Sequence, residues 1–259
     1  MTVSNWHVVA GSVLCLAALV MGGVRSAGAA ELTILSGGAA KAGLGEAIPL
    51  YEKATGQKVV ADYAPMGPLM RRLGEGNAPD LVVVTTDVVG EVEKRGHIVA
   101  SSVTEIGRVG IGVAVHESAP SPDISTPEAL KKALLDARSL VYINPATGTS
   151  GRHFAQVLQT LGIAEAVKAK TTLGEGGYVV EPVGRKEIEL GVHQISEILP
   201  VKGIKLVGPL PAELQKVTVY VGAVTTKARD GAQARQFLAF MQTPEVRKAF
   251  AAKGYAAAP

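Results

Sequence analysis

Short apolar runs alternate with longer amphipathic stretches along most of this chain, from Glu31 to its end. A run of about four to eight apolar residues is typical of a buried strand, and the stretches between such runs have the pattern of helices that cover a sheet. This alternation predicts an α/β fold in which mostly parallel sheets are flanked by helices. The predicted strands are residues 32–35, 59–63, 81–84, 109–115, 140–143, 188–192, 205–207 and 217–224.

Two features divide the predicted strands into two groups. A segment rich in proline and serine, residues 117–123, follows the strand at 109–115 and suits a crossing between two lobes. The long apolar run at 217–224 suits the return crossing, which leaves the last helices on the first lobe. We therefore predict two lobes, the first built from residues 31–113 and 222–259 and the second from residues 114–221.

The first thirty residues differ in composition from the rest of the chain. Residues 8–21 are almost entirely apolar, and residues 26–30 are small. This pattern predicts a signal peptide over residues 1–30, and so a protein exported to the periplasm with no stable membrane insertion after cleavage. The apolar run is shorter than the roughly 20 residues that a membrane-spanning helix needs. The single cysteine, Cys15, lies inside this leader, so we expect neither disulfides nor thiol chemistry in the mature chain.

Composition argues against several classes of function. The formal net charge is only +3 and aromatic residues make up 4% of the chain, so neither a basic stripe nor a stacking platform for nucleic acid is expected. The five histidines are scattered and have no metal-ligand spacing, which argues against a bound metal. The nucleotide-binding glycine motifs are also missing, so we expect no cofactor.

Two loops at predicted strand ends carry the main candidates for ligand binding. Ligands of open parallel sheets bind where strands run into helix N-termini, because backbone amides point outward there. Ser36, Gly37 and Gly38 follow the first strand. The loop after the strand at 140–143 ends in Thr149, Ser150, Gly151 and Arg152, which bring hydroxyl groups, amides and a guanidinium together. Such a group of donors suits an anion, and Arg152 in particular suits a carboxylate.

Other loops are predicted to face these two across a cleft. They contribute further candidate ligand-binding residues, namely Met66, Gly67, Gly176, Gly177, Tyr178 and Gln194. If the protein is an enzyme, its acid or base would come from the ionisable residues of the same loops, namely Glu175, Tyr178, His193 and Glu197. The sequence does not rank these four.

Taken in order, these loops resemble those of the periplasmic molybdate-binding proteins of ABC importers. The segments that carry the resemblance are residues 32–40, 69–73, 78–81, 144–151 and 190–192. The resemblance implies the two-lobed type II solute-binding fold. It also implies that the protein is a monomeric receptor, which closes on a small anion, an oxyanion or a polycarboxylate, and presents it to an ABC permease.

The chain departs from that family at positions that would hold the ligand. Ala39 stands where the family has a serine, Pro65-Met66-Gly67-Pro68 where its second loop is rich in serine, and Gln194 near its tyrosine. The region from Leu190 to Tyr220 instead resembles a divergent branch that includes periplasmic aconitate isomerases. That resemblance implies an alternative function, the interconversion of cis- and trans-aconitate. We expect a receptor without catalysis and keep the isomerase as the alternative.

Overall fold

The protein is described from a computed structural model that covers residues 1–2 and 31–256. Nearly all of the predicted signal peptide lies outside the described residues. The strands are β1 (Leu32–Gly37), β2 (Val59–Ala64), β3 (Leu81–Thr85), β4 (Thr104–Val109), β5 (Ile111–His116), β6 (Leu140–Ile143), β7 (Thr171–Gly174), β8 (Leu190–Gln194), β9 (Ile204–Pro209) and β10 (Thr218–Val224).

Helices connect most of these strands. They are α1 (Lys41–Thr55), α2 (Met66–Gly74), α3 (Thr86–Lys94), α4 (Pro127–Asp136), α5 (Thr149–Thr160), α6 (Ala164–Lys168), α7 (Glu181–Gly184), α8 (Ile195–Ile198), α9 (Gly231–Phe240) and α10 (Pro244–Ala252). Several begin as the sequence predicts. At α4, for example, the Thr126 hydroxyl accepts a hydrogen bond from the amide of Ala129, and Pro127 occupies the first turn.

The described strands form two five-stranded sheets, one in each lobe. The first has the order β2-β1-β3-β10-β4 and the second the order β7-β6-β8-β5-β9. In each sheet three neighbouring strands are parallel, β2-β1-β3 and β7-β6-β8, and an antiparallel partner, β10 or β5, extends them. The predicted α/β fold, with two mostly parallel sheets flanked by helices, is confirmed.

The chain passes between the sheets earlier than the predicted lobe boundaries at both crossings. Strand β5 pairs wholly within the second sheet, so the first crossing lies at Gly110 rather than at 113/114. The proline-rich segment is a surface loop after that strand. Strand β10 pairs with β3 and β4 of the first sheet, so the return crossing lies between Pro209 and Thr218 rather than at 221/222. The predicted apolar run at 217–224 is buried as a sheet strand and does not form the crossing.

The two crossing segments are tied together by one side chain. The amide of Gln215 accepts a hydrogen bond from Ile111 N at 2.9 Å and donates one to Ile111 O at 2.8 Å, as a neighbouring strand would. The lobes also touch directly. The amide of Gly67 in α2 donates to the carbonyl of Thr147 in the second lobe at 3.1 Å. The structure therefore has its lobes closed on each other.

Helix α8 is short but sets the geometry between the lobes. It follows β8 of the second sheet and packs on the turn Gly38–Ala40 of the first lobe. The hydroxyl of Ser196, which is fully buried, donates to the carbonyl of Ala39 at 2.9 Å. The phenol of Tyr255 donates to the same carbonyl. The end of β8, which carries His193, and α8, which carries Glu197, are thereby fixed against the first lobe.

Candidate active site

A cavity lies between the lobes, where the carboxyl ends of β1, β2, β6 and β8 face one another. Its empty space is about 690 Å³, part of which is open to solvent. Both lobes contribute to its lining. This is the edge at which open parallel sheets bind their ligands.

The first lobe lines the cavity with fewer of the predicted residues than expected. Gly38 lines it, but Ser36 is fully buried and its hydroxyl donates to Gly37 O at 3.1 Å. Gly37 lies behind the wall, where a β-carbon would come within 2.8 Å of Met66 Cε and 3.0 Å of Tyr220 Cε1. Met66 itself lines the cavity, whereas Gly67 uses its backbone to bridge the lobes.

In the second lobe, two of the four residues predicted at the start of α5 line the cavity and two do not. Thr149 and Ser150 line the cavity. Gly151 packs behind them on the end of β6, where a β-carbon would come within 1.9 Å of Ile143 O. Arg152 is exposed and does not line the cavity. It lies two residues after Ser150, about 200° around the helix, so it points away from the face that Ser150 presents to the cleft.

In the glycine-rich loop after β7, again only some of the predicted residues line the cavity. Gly177 and Tyr178 line the cavity. Gly176 packs against the other lobe, where a β-carbon would come within 2.7 Å of Pro65 Cγ. Glu175 is exposed and accepts a hydrogen bond from Asn144 Nδ2 at 3.0 Å, outside the cavity. Of the four candidate acids and bases, Tyr178, His193 and Glu197 therefore lie in the cavity.

His193 and Glu197 form a buried pair in the cavity wall. Their Nε2 and Oε2 atoms are 3.3 Å apart, and their side chains are 1% and 8% exposed. His193 Nε2 also lies 3.2 Å from the carbonyl of Gly177, and Nδ1 lies 3.3 Å from the hydroxyl of Ser150. Because a carbonyl only accepts, we assign the hydrogen to Nε2. Nδ1 then accepts from Ser150.

Burial keeps both members of this pair neutral around neutral pH. It lowers the pKa of His193 to about 4, an effect that the hydrogen bond to Gly177 only partly offsets. Burial also raises the pKa of Glu197 to about 8, against the opposing influence of the Lys41 ammonium. The contact therefore joins two neutral groups and is not an ion pair. A carboxyl group with this pKa is suited to exchange protons near neutral pH.

The second oxygen of Glu197 faces Gly38. A β-carbon at Gly38 would come within 3.1 Å of Glu197 Oε1, so the glycine leaves room for this oxygen at the cavity wall. Oε2 lies beside His193, and Oε1 faces the turn that begins the first-lobe wall. The pair places one proton-exchanging oxygen where the two lobes meet over the cavity.

Lys41 and two further tyrosines line the cavity, although the sequence did not single them out. Lys41 Nζ lies 5.2 Å from the ring centre of Tyr178 in the second lobe and 5.8 Å from that of Tyr63 in the first. Burial, with a smaller contribution from Tyr178, raises the pKa of Tyr63 to about 12, and burial raises that of Tyr220 well above its usual value. Of the residues that line the cavity, Lys41 alone carries a lysine or arginine cation. The sequence feature that could have identified Lys41 is its position as the first residue of α1, directly after a strand-to-helix turn.

Gln194 lines the cavity as predicted and is 2% exposed. Its Oε1 atom has no hydrogen-bond partner among the described residues.

The residues that the structure describes include no helix with the length and apolar character needed to cross a membrane.

The family model described as "Bacterial extracellular solute-binding protein" matches residues 32–256. The chain belongs to this family. The resemblance predicted from the loops is thereby confirmed, as is the assignment to solute-binding proteins.

Two curated relatives match most of the chain. An aconitate isomerase from Pseudomonas sp. is 32% identical over 234 residues, which cover 88% of each chain. The molybdate-binding protein ModA of Azotobacter vinelandii is 28% identical over 214 residues, 79% of this chain and 81% of that one. Among solved structures, the periplasmic molybdate-binding protein of Azotobacter vinelandii superimposes with a TM-score of 0.75 at 18% identity, covering 88% of this chain and all of that one. This structural likeness confirms the two-lobed fold.

Proposed function

We propose that the protein binds a small polycarboxylate between its lobes and interconverts cis- and trans-aconitate. The observation that carries this proposal is the buried Glu197 carboxyl at the cavity wall, 3.3 Å from the neutral imidazole of His193. The likeness to an aconitate isomerase, which covers 88% of the chain, supports it. The location in the periplasm, predicted from the leader, is part of the same proposal.

The lining of the cavity suits a polycarboxylate better than a tetrahedral oxyanion. The first-lobe wall presents Ala39 and Met66 where the molybdate-binding family is expected to have serine, and its hydroxyl groups are the phenols of Tyr63 and Tyr220. Apolar side chains can contact a carbon skeleton, whereas a dehydrated oxyanion needs hydrogen bonds on all sides. Lys41 supplies a positive charge for one carboxylate, and Thr149 and Ser150, at the start of α5, supply hydroxyls and amides for another.

The reaction moves one proton and one double bond. A base removes a hydrogen from the methylene carbon, and the electron pair of the broken C–H bond shifts the double bond along the allylic system. A proton then adds at the far carbon, so the product has the same atoms and charge as the substrate. We assign the proton transfer to Glu197, whose ionised form accepts the hydrogen and whose acid form returns it.

Three neighbours assist this group in the proposal. His193 packs against the carboxyl with Nε2 3.3 Å from Oε2, and Oε1 faces the Gly38 side of the cavity. Ser150 in turn orients His193 through Nδ1. Lys41 stabilises the negative charge that develops on the substrate carboxylate as the proton leaves.

The direct test is to incubate the purified protein with each aconitate isomer and to follow the other isomer by proton NMR. We expect conversion in both directions. Glu197→Gln preserves shape and removes the proton-accepting oxygen, so it should lower kcat by about 10²- to 10⁴-fold. Binding of tricarballylate, the saturated analogue that cannot react, should change far less. Turnover by Glu197→Gln at the wild-type rate would exclude this role for Glu197.

A receptor without catalysis is the second candidate. The observation in its favour is the family itself, together with the closed lobes around a cavity at which α1 and α5 begin. In that case the protein would deliver its anion to an ABC permease as a monomer. Thermal shifts with polycarboxylates, sulfate and molybdate would identify the ligand. Tight binding without any conversion of either aconitate would favour the receptor.

A further inference from the structure

The side chain of Gln194 contains an unused hydrogen-bond acceptor at the cavity. Gln194 is the last residue of β8, it lines the cavity, and only 2% of its surface is exposed. Its Oε1 has no partner among the described residues. A buried carbonyl oxygen without a donor is unfavourable, so this atom calls for a hydrogen that the ligand supplies.

The polar neighbours on the same wall are already engaged. His193 uses Nε2 for Gly177 and Nδ1 for Ser150. The ionisable groups around the cavity are Lys41 from α1, Tyr63 from β2, Tyr178 before α7, Glu197 from α8, Tyr220 from β10 and His193 beside Gln194. Burial raises the pKa of Tyr220, and a hydrogen bond with the Gln194 side chain partly opposes this rise. A bond that lowers the pKa of a phenol is donated to its oxygen, so it uses the amide nitrogen of Gln194. Oε1 itself has no donor among the described residues.

An ionised carboxylate or sulfate brings only acceptor oxygens, which a carbonyl repels. A carboxyl group that keeps its hydrogen can donate it to the carbonyl. We propose that Gln194 selects ligands with an O–H group at its end of the cavity, so that a polycarboxylate binds with one carboxyl protonated opposite Oε1. This inference rests on the proposed binding of a polycarboxylate. The proton comes from the solvent, and one carboxylate becomes one carboxyl group as the ligand binds.

Proton uptake on binding is the measurement that tests this selection. Tricarballylate is titrated calorimetrically into the full chain at pH 7.5, in two buffers that differ in their enthalpy of ionisation. The wild-type protein should take up about one proton per ligand beyond that needed to complete the protonation of Glu197. Gln194→Met, which has a similar shape but no such acceptor, should lose this uptake and bind about tenfold more weakly. Glu197→Gln should keep it.

The other outcomes separate this inference from the proposed function. Uptake that persists in Gln194→Met and disappears in Glu197→Gln would place the proton on the protein, which overturns the role of Gln194 and leaves the isomerase proposal intact. Wild-type affinity for sulfate equal to that for tricarballylate would also overturn it. Failure of the wild-type protein to bind any polycarboxylate would instead overturn the proposed function. If Gln194→Met does not fold, Gln194→Asn is the second variant. Its side chain is one methylene shorter, so its oxygen no longer reaches the ligand, and the proton uptake should be lost in the same way.

Discussion

Glu197 Oε2 lies 3.3 Å from His193 Nε2, and the two side chains are almost completely buried. Burial moves their pKa values in opposite directions, to about 8 for the carboxyl and about 4 for the imidazole. Between those two pH values the contact therefore joins two neutral groups, although its distance is that of an ion pair. The carboxyl keeps its proton until the medium becomes mildly alkaline, which gives this site a pH dependence that a surface glutamate would not have.

Turnover of aconitate should depend on the ionisation of Glu197. Because the group acts as a base only after it loses its proton, kcat/KM should rise with pH up to about 8 and fall about tenfold per pH unit well below that value. A pH profile measured between pH 6 and 9 checks this expectation. Tricarballylate affinity over the same range corrects for effects on binding. A profile that is flat across this range would contradict the assignment.

The free energy of unfolding should also depend on pH through the ionisation of Glu197. Between about pH 4.5, where a free glutamate ionises, and about pH 8, the folded protein holds a proton that the unfolded chain has released. Stability from this group is thus fully present below pH 4.5 and is lost as the pH rises through 8. Glu197→Gln stays neutral, so it should melt several degrees higher than the wild-type protein at pH 8, and the two should converge toward pH 5.

Buried His193 has the opposite effect and serves as an internal comparison. Its folded pKa of about 4 lies below the usual 6.5, so its contribution is present above 6.5 and is lost as the pH falls through 4. This loss is common to the wild-type protein and Glu197→Gln. The difference between their melting temperatures therefore isolates the carboxyl. A difference that does not change between pH 5 and 8 would contradict the raised pKa of Glu197.

Lys41 and Arg152 form a matched pair of cations near the starts of α1 and α5. Both are exposed to solvent, but Lys41 lines the cavity and Arg152 does not. Lys41→Met should weaken tricarballylate binding by about ten- to a hundredfold, because a charge-assisted contact to a carboxylate is lost. Arg152→Met should leave affinity within about twofold. Calorimetric titration of both variants with tricarballylate checks this prediction. If Arg152→Met weakens binding more than Lys41→Met does, then Arg152 rather than Lys41 contacts the carboxylate.

Gly38 should matter for turnover through the space that it leaves for Glu197. In Gly38→Ala the new methyl group would lie 3.1 Å from Glu197 Oε1, so the carboxyl must shift, and we expect kcat to fall about ten- to a hundredfold. Gly45, inside α1, has nothing within 4 Å of the same position. Gly45→Ala is therefore the control and should keep full turnover with equal or slightly greater stability. Equal kcat values for the two variants would remove Gly38 from the mechanism.

Much of the fold could be predicted from local patterns. The apolar runs at β1, β2, β3 and β6 are strands within a few residues of the predicted bounds, because a strand buried on both faces needs nearly continuous apolar sequence. Strand β4 was missed. Its sequence mixes threonine, glutamate and arginine with apolar residues, and its burial alternates irregularly. Helix α8, a single turn, is too short to have a periodic pattern.

The sequence by itself determined which loops meet at the cleft, since the alternation of strands and helices brings strand ends to one edge and the loop residues indicate the family. Only the tertiary structure decided which residue of each loop faces the ligand. Arg152 is turned away from the cavity by the helical repeat after Ser150, whereas Lys41, although also exposed, lies at the cavity between two tyrosines. The burial of Glu197 depends on α8 packing on a turn 157 positions away in sequence, through Ser196 and Ala39. The burial that shifts the pKa of Glu197 comes from contacts between residues that are far apart in sequence, and local sequence patterns do not reveal such contacts.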